Sequence, residues 1–258
     1  MNEDVLREVL SRTDIITAIH FYQVNKTLCH QHDDLFKHIY DRFYHETGMN
    51  VFKNKSSEMT WFQLIKRCYL LEQLRMTLPI LNDYSIKEVY TLQALDLSDN
   101  QLSVLPPEIG QLSALQELYL HHNQLSALAP EMGQLSHLQE LYLNKNQLSA
   151  LPPEIGQLSA LQILSLSHNQ LNALPPEIGK LRALQYLYLS YNQLSALPPE
   201  MVHLSVLQIL NLSNNQLNAL PPEMGQMSAL RYLYLSNNQL ISLPPEIGQL
   251  NNLIIKND

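Results

Sequence analysis

The chain has 258 residues, 45% of them apolar and 16% charged, which excludes a disordered acidic chain and leaves room for one or two domains. Its net charge of −8 is uneven: residues 1–91 carry 11 Lys/Arg against 12 Asp/Glu, and residues 92–258 carry 5 against 12, giving −1 and −7. A polyphosphate backbone is repelled by that second half, so nucleic acid is not an expected partner. The acidic start, Met1-Asn2-Glu3-Asp4, leads into no apolar run, so no secretory signal peptide is expected. No stretch approaches the roughly 20 apolar residues that span a bilayer. The two cysteines, Cys29 and Cys68, make no disulfide framework, and the expected setting is the reducing cytosol.

Residues 1–88 are expected to be helical. Up to residue 80 they hold one glycine and one proline, and three apolar faces recur at helical spacing. Val5, Leu6, Val9 and Leu10 form the first, and Leu35, Ile39, Phe43 and Tyr44 the second. Trp61, Leu64, Ile65, Cys68, Tyr69 and Leu71 form the third. One role for such a domain is a cap over the first strand edge of the C-terminal part of the chain. A second comes from the run Glu3-Asp4-Val5-Leu6, Asp14-Ile15-Ile16, Val24-Asn25-Lys26 and Asp33-Asp34-Leu35-Phe36-Lys37, with Thr60-Trp61, Leu64 and Tyr69 behind it. That run resembles an F-box, without the usual leading Leu-Pro and with Phe36 in place of the more usual Trp. The resemblance implies a helical adaptor that contacts a Skp1-type subunit of a cullin ubiquitin ligase through Val24, Leu35 and Phe36.

From Leu92 onward the sequence repeats every 23 residues, with copies starting at Leu92, Leu115, Leu138, Leu161, Leu184, Leu207 and Leu230 and a partial eighth from Leu253. Each copy reads close to LxxLxLxxNxLxxLPPEIGxLxx, a pattern that resembles the 23-residue intracellular leucine-rich repeat. The physics points the same way. Leu161, Leu164 and Leu166 alternate as in a strand, and Leu171, Leu174, Ile178 and Leu181 come after them on the return. A single unit cannot enclose those side chains, but stacked units can, each side chain contributing about 1.5–3 kcal/mol on burial. The expected fold class is therefore α/β. Residues 89–258 form a solenoid with a curved parallel sheet on its concave face and an irregular or 3-10 convex side, behind the helical domain.

Three columns have expected jobs. Asn100, Asn123, Asn146, Asn169, Asn192, Asn215 and Asn238 come after each strand, where an amide can satisfy turn backbone. Pro-Pro pairs such as Pro152-Pro153 favour an extended or tight-turn convex side over an α-helix. Gly110, Gly133, Gly156, Gly179, Gly225 and Gly248 are expected to supply the bend before the next strand. Ala129-Pro130 and Val202 break these columns and predict altered convex geometry in repeats two and five.

Positions 3, 5 and 7 of each repeat are expected to face away from the leucines. Position 3 holds Ala94, Glu117, Glu140, Ile163, Tyr186, Ile209 and Tyr232, and position 5 holds Asp96, Tyr119, Tyr142, Ser165, Tyr188, Asn211 and Tyr234. Position 7 adds His121 and small polar residues, and Tyr191 stands beside them at position 8. Tyrosine combines large apolar area with a hydroxyl at low entropic cost and is enriched in binding hot spots. Ile163 and Ile209 have no core to serve there. Glu117, Tyr119, His121, Glu140, Tyr142, Ile163, Tyr186, Tyr188, Tyr191, Ile209, Asn211, Tyr232 and Tyr234 are thus the expected contacts of a protein partner. Tyrosine also suits strands for its own sake, which is the competing reading.

No catalytic, metal or cofactor site is expected. Cys29-His30-Gln31-His32-Asp33 lacks the paired spacing that surrounds a metal, and the repeat glycines form no phosphate loop. His121, His122 and His168 have no nucleophile and orienting acid beside them in the pattern. Repeats this regular are similar to those of secreted effectors of Legionella-type bacteria, which implies an adaptor acting in a host cytoplasm without a signal peptide. A stoichiometric regulator that covers the active site of a partner enzyme, such as another effector, is the alternative.

Overall fold

The computed structural model describes residues 70–256, apart from Glu72, Met76, Asn82, Tyr84 and Ser85. The F-box-like run, including Val24, Leu35 and Phe36, lies outside the described residues, as do the helical faces assigned before residue 70. The chain divides into two units, 1–90 and 91–258. In the first, helical residues between 70 and 77 precede a 3-10 turn, Pro79–Leu81, and a short helix α1, Ile86–Tyr90. Leu71, Leu74, Leu78, Leu81 and Val89 are buried.

The second unit is the solenoid. Eight three-residue strands form one parallel sheet in chain order: β1 (Ala94–Asp96), β2 (Glu117–Tyr119), β3 (Glu140–Tyr142), β4 (Ile163–Ser165), β5 (Tyr186–Tyr188), β6 (Ile209–Asn211), β7 (Tyr232–Tyr234) and β8 (Ile254–Lys256). In each of the middle strands the central residue points into the core and its neighbours face out. All seven apolar columns close over one another. In the fourth unit Leu161, Leu164, Leu166, Leu171, Leu174, Ile178 and Leu181 are at most 5% exposed, so the burial no single repeat could achieve is complete.

On the convex side each repeat makes a 3-10 turn, such as Pro153–Gln157. The first proline of the pair is extended (φ −67°, ψ 147° at Pro152) and lends its carbonyl to Ile155 N–H at 3.0 Å. The second begins the turn, where its missing N–H leaves no orphan donor. Ala129 adopts the same extended geometry (φ −67°, ψ 135°), so the altered convex geometry expected for repeat two does not occur.

The glycines act differently from the expectation. They lie inside the 3-10 turns, not at a bend before the strand, and the reason for glycine is close approach. A Cβ on Gly156 would stand 2.6 Å from the backbone oxygen of Glu177 in the next turn. Val202 fills the equivalent place in repeat five. Its turn, Pro199–His203, keeps the common geometry but stands less close to the next turn, Pro222–Gln226, than other neighbouring pairs do.

The asparagines do as expected. Asn169 Nδ2 donates to Leu143 O (2.9 Å) and Leu166 O (3.0 Å), and its Oδ1 accepts from Leu148 N–H at 2.9 Å. From Asn123 to Asn238 each amide ties one strand exit to the loop of the preceding repeat, whereas Asn100, the first of the column, donates to Ser98 O in its own turn. The residue before each asparagine is forced into the left-handed region: Asp99, His122, Lys145, His168, Tyr191, Asn214 and Asn237 all have φ of 55–57°.

Register changes at the last strand. Earlier partners are 23 residues apart, but Tyr232 pairs with Ile254, Leu233 with Ile255 and Tyr234 with Lys256, a spacing of 22. With the regular spacing Lys256 would enter the leucine column. Dropping one residue puts Ile255 there and turns Lys256 out onto the face, since a one-residue slip exchanges the two sides of a strand.

Candidate protein-binding face

The outward side of the sheet reads strand by strand as Glu-Leu-Tyr (β2), Glu-Leu-Tyr (β3), Ile-Leu-Ser (β4), Tyr-Leu-Tyr (β5), Ile-Leu-Asn (β6) and Tyr-Leu-Tyr (β7), with each central leucine buried. Parallel in-register pairing puts Glu117 beside Glu140 and Tyr119 beside Tyr142. The two phenol rings stack with centroids 5.0 Å apart and planes 3° from parallel. Tyr119 donates its hydroxyl to Glu117 Oε2 at 2.8 Å, and Tyr142 donates to Glu140 Oε2 at 2.9 Å.

Both phenols hold their protons above the ordinary range. Tyr119 is pushed up to about 12, first by its hydrogen bond to Glu117 and then by burial and the surrounding carboxylates. Tyr142 is raised by burial first and by Glu140 next. Asp96 moves the opposite way: Ser98 donates to Asp96 Oδ1 from its hydroxyl (2.6 Å) and its backbone N–H (2.9 Å), which lowers the carboxyl.

The next four strands are apolar and aromatic. Ile163 on β4 and Ile209 on β6 are half-buried on the face, flanking Tyr186 and Tyr188 on β5, and Tyr232 and Tyr234 come next on β7. Tyr188 is raised by burial and by Tyr186 and Tyr234. Asn211 Oδ1 accepts from Ser213 N–H at 3.1 Å, so its polar group is partly used by its own loop. His121 meets Tyr119 edge-on at 6.4 Å.

Tyr191 is not on the strand row. It sits on the rim, 50% exposed, stacked on His168 at 4.2 Å and 9°. The expected contacts therefore fall into an acidic tyrosine pair on β2 and β3, an aromatic field from β4 to β7, and a separate rim pair. The sequence pattern put His168 on the groove, at the same repeat position as Tyr191, but not among the expected contacts; the fold stacks the two. Lys256 was also missed, although the 22-residue spacing that keeps an isoleucine in the leucine column would have placed it. Among the described residues, no group of three or more His, Cys, Asp or Glu side chains is placed to hold a metal. No helix among them is long and apolar enough to cross a membrane.

Matches to the leucine rich repeat family cover residues 90–148, 136–194, 182–240 and 205–253. The chain belongs to the leucine-rich repeat family. Among solved structures it is similar to a Leptospira interrogans leucine-rich repeat protein, with 46% identity over 69% of this chain and a TM-score of 0.65. An internalin from Listeria monocytogenes matches 64% of the chain at 24% identity with a TM-score of 0.56, a likeness of fold. The chain covers 46% of the first structure and 47% of the second, about half the length of each. No curated protein matches it.

Proposed function

We propose that this protein is a non-enzymatic binding module that grips another protein on the outward face of its sheet. The observation that carries this is the partly exposed tyrosine field, Tyr186, Tyr188, Tyr232 and Tyr234, displayed with Ile163 and Ile209 on a side that has no core of its own to fill. Strand preference alone explains tyrosine at some positions, but not aromatic and aliphatic residues grouped on consecutive strands of one face. The test is affinity capture with the full chain, followed by affinity measurement on the protein captured. Tyr188→Ala with Tyr234→Ala should weaken it by at least ~2 kcal/mol. Unchanged affinity in a variant with wild-type circular dichroism refutes the reading.

The finer reading is an adaptor. It rests on the F-box-like run alone: Val24, Leu35 and Phe36 would contact a Skp1-type subunit while the repeats hold a target, in a host cytoplasm if the protein is a secreted effector. Purified Skp1 titrated against the full chain tests this. Absence of binding leaves the stoichiometric regulator, in which the face covers a partner enzyme.

A further inference from the structure

The outward face of the sheet is electrically polar along its length, and that polarity specifies its occupant. Its acids, Asp96, Glu117 and Glu140, all stand on β1–β3. Among the described residues, no Lys or Arg occupies position 3, 5 or 7 of repeats one to seven. Apart from Lys145, exposed on the rim just after β3, the cations beside the sheet are at the far end, with Arg231 next to β7 and Lys256 on β8. We propose that the face takes a partner segment whose arginine-bearing end lies over Glu117, Tyr119, Glu140 and Tyr142 and whose apolar end lies over the tyrosines of β5 and β7. This rests on the binding-module reading above.

The geometry of β2 and β3 suits a guanidinium. Glu117 and Glu140 are register partners on strands about 4.8 Å apart. Each is held by its own tyrosine through Oε2, and among the described residues nothing else bonds its Oε1. Two half-buried carboxylates on neighbouring strands, each with one oxygen unbonded, match a planar, multi-donor cation. The neighbouring phenol rings add surface for stacking and cation–π contact. Because Tyr119 and Tyr142 are donors to the carboxylates, the cluster is preorganised, so little side-chain freedom is lost on binding.

From β3 to β7 the distance is four strand spacings, about 19 Å. A partner helix would cover that in about 13 residues. An anionic segment is disfavoured on the first three strands, and a uniformly basic one meets Arg231 and Lys256 at the far end.

The experiment uses the full chain and a fluorescein-labelled Gly/Ser peptide with two arginines near one end and two tryptophans near the other. A counterpart has glutamates for the arginines, and anisotropy is the readout. The arginine peptide should bind about tenfold more tightly than the glutamate peptide and lose about tenfold on Glu117→Gln/Glu140→Gln. Glu154→Gln/Glu200→Gln, which removes the same charge from the 3-10 side, should change it less than about twofold. Equal loss in the two double variants, equal binding of the two peptides, or no binding of either overturns the proposal. If it falls while the captured protein still depends on Tyr188 and Tyr234, only the polarity of the occupant is wrong. If that dependence fails as well, the binding face itself is wrong.

Discussion

Tyr119 and Tyr142, 23 residues apart in sequence, stack ring on ring at 5.0 Å, and each gives its hydroxyl to the glutamate two residues before it. The pair is a product of parallel register: once Leu118 and Leu141 occupy the same core column, their neighbours must align.

That alignment has a spectroscopic consequence. Tyr119 is expected to titrate near pH 12, well above its ordinary value of 10.0, and Glu117→Gln should bring it back toward that value. Between those limits the folded chain keeps a phenolic proton that the unfolded chain releases. The folded state then binds more protons, so its stability falls as pH rises through the window and is fully present below pH 10. Ultraviolet titration of phenolate absorbance, wild type against Glu117→Gln, measures the shift; identical curves would contradict the hydrogen bond.

Asn169 makes three hydrogen bonds to backbone groups of two repeats, and its neighbours are buried. Asn169→Ala should cost roughly 1–3 kcal/mol, because Leu148 N–H loses its partner with little access to water, while Leu143 O and Leu166 O keep the amides of Asn146 and Asn192. Asn169→Asp keeps the acceptor but sets a carboxylate against two carbonyl oxygens, so it should be no less damaging. Urea denaturation reads both.

Two glycines of the same sequence slot should behave oppositely. Gly156→Ala drives a methyl to 2.6 Å from Glu177 O and should destabilise by about 1–3 kcal/mol. Gly248→Ala meets nothing within 4 Å and should be neutral or stabilising by up to ~1 kcal/mol through the unfolded chain. A common role as bend residues would make the two substitutions alike, and thermal melts of the pair decide it.

Lys145 has a left-handed backbone, φ 55°, in the slot that Asn214 and Asn237 fill in later repeats. Asparagine tolerates that conformation better than lysine, and the slot's backbone bond, Lys145 N–H to Ser167 O, survives the change. Lys145→Asn should therefore raise stability by about 0.5–1 kcal/mol. A loss of stability on denaturation would show that the lysine side chain contributes something its backbone cost conceals.

The solenoid, its period, the leucine columns, the asparagine ties and the outward residues of each strand were all legible in the amino-acid order. They rest on a periodicity repeated seven times, where one unit's local pattern and its need for neighbours are both visible in the chain. The F-box-like run remains a sequence pattern, since it lies outside the described residues. Three features emerged only from the folded arrangement: why glycine is needed in the convex turns, that Tyr191 rests on His168 and not in the strand row, and that β8 slips by one residue to bring Lys256 outward. Each is a contact across about one repeat length. Whether a glycine meets a carbonyl, a ring meets a ring, or a lysine escapes the core depends on how closely successive turns stack, and no single unit encodes that distance.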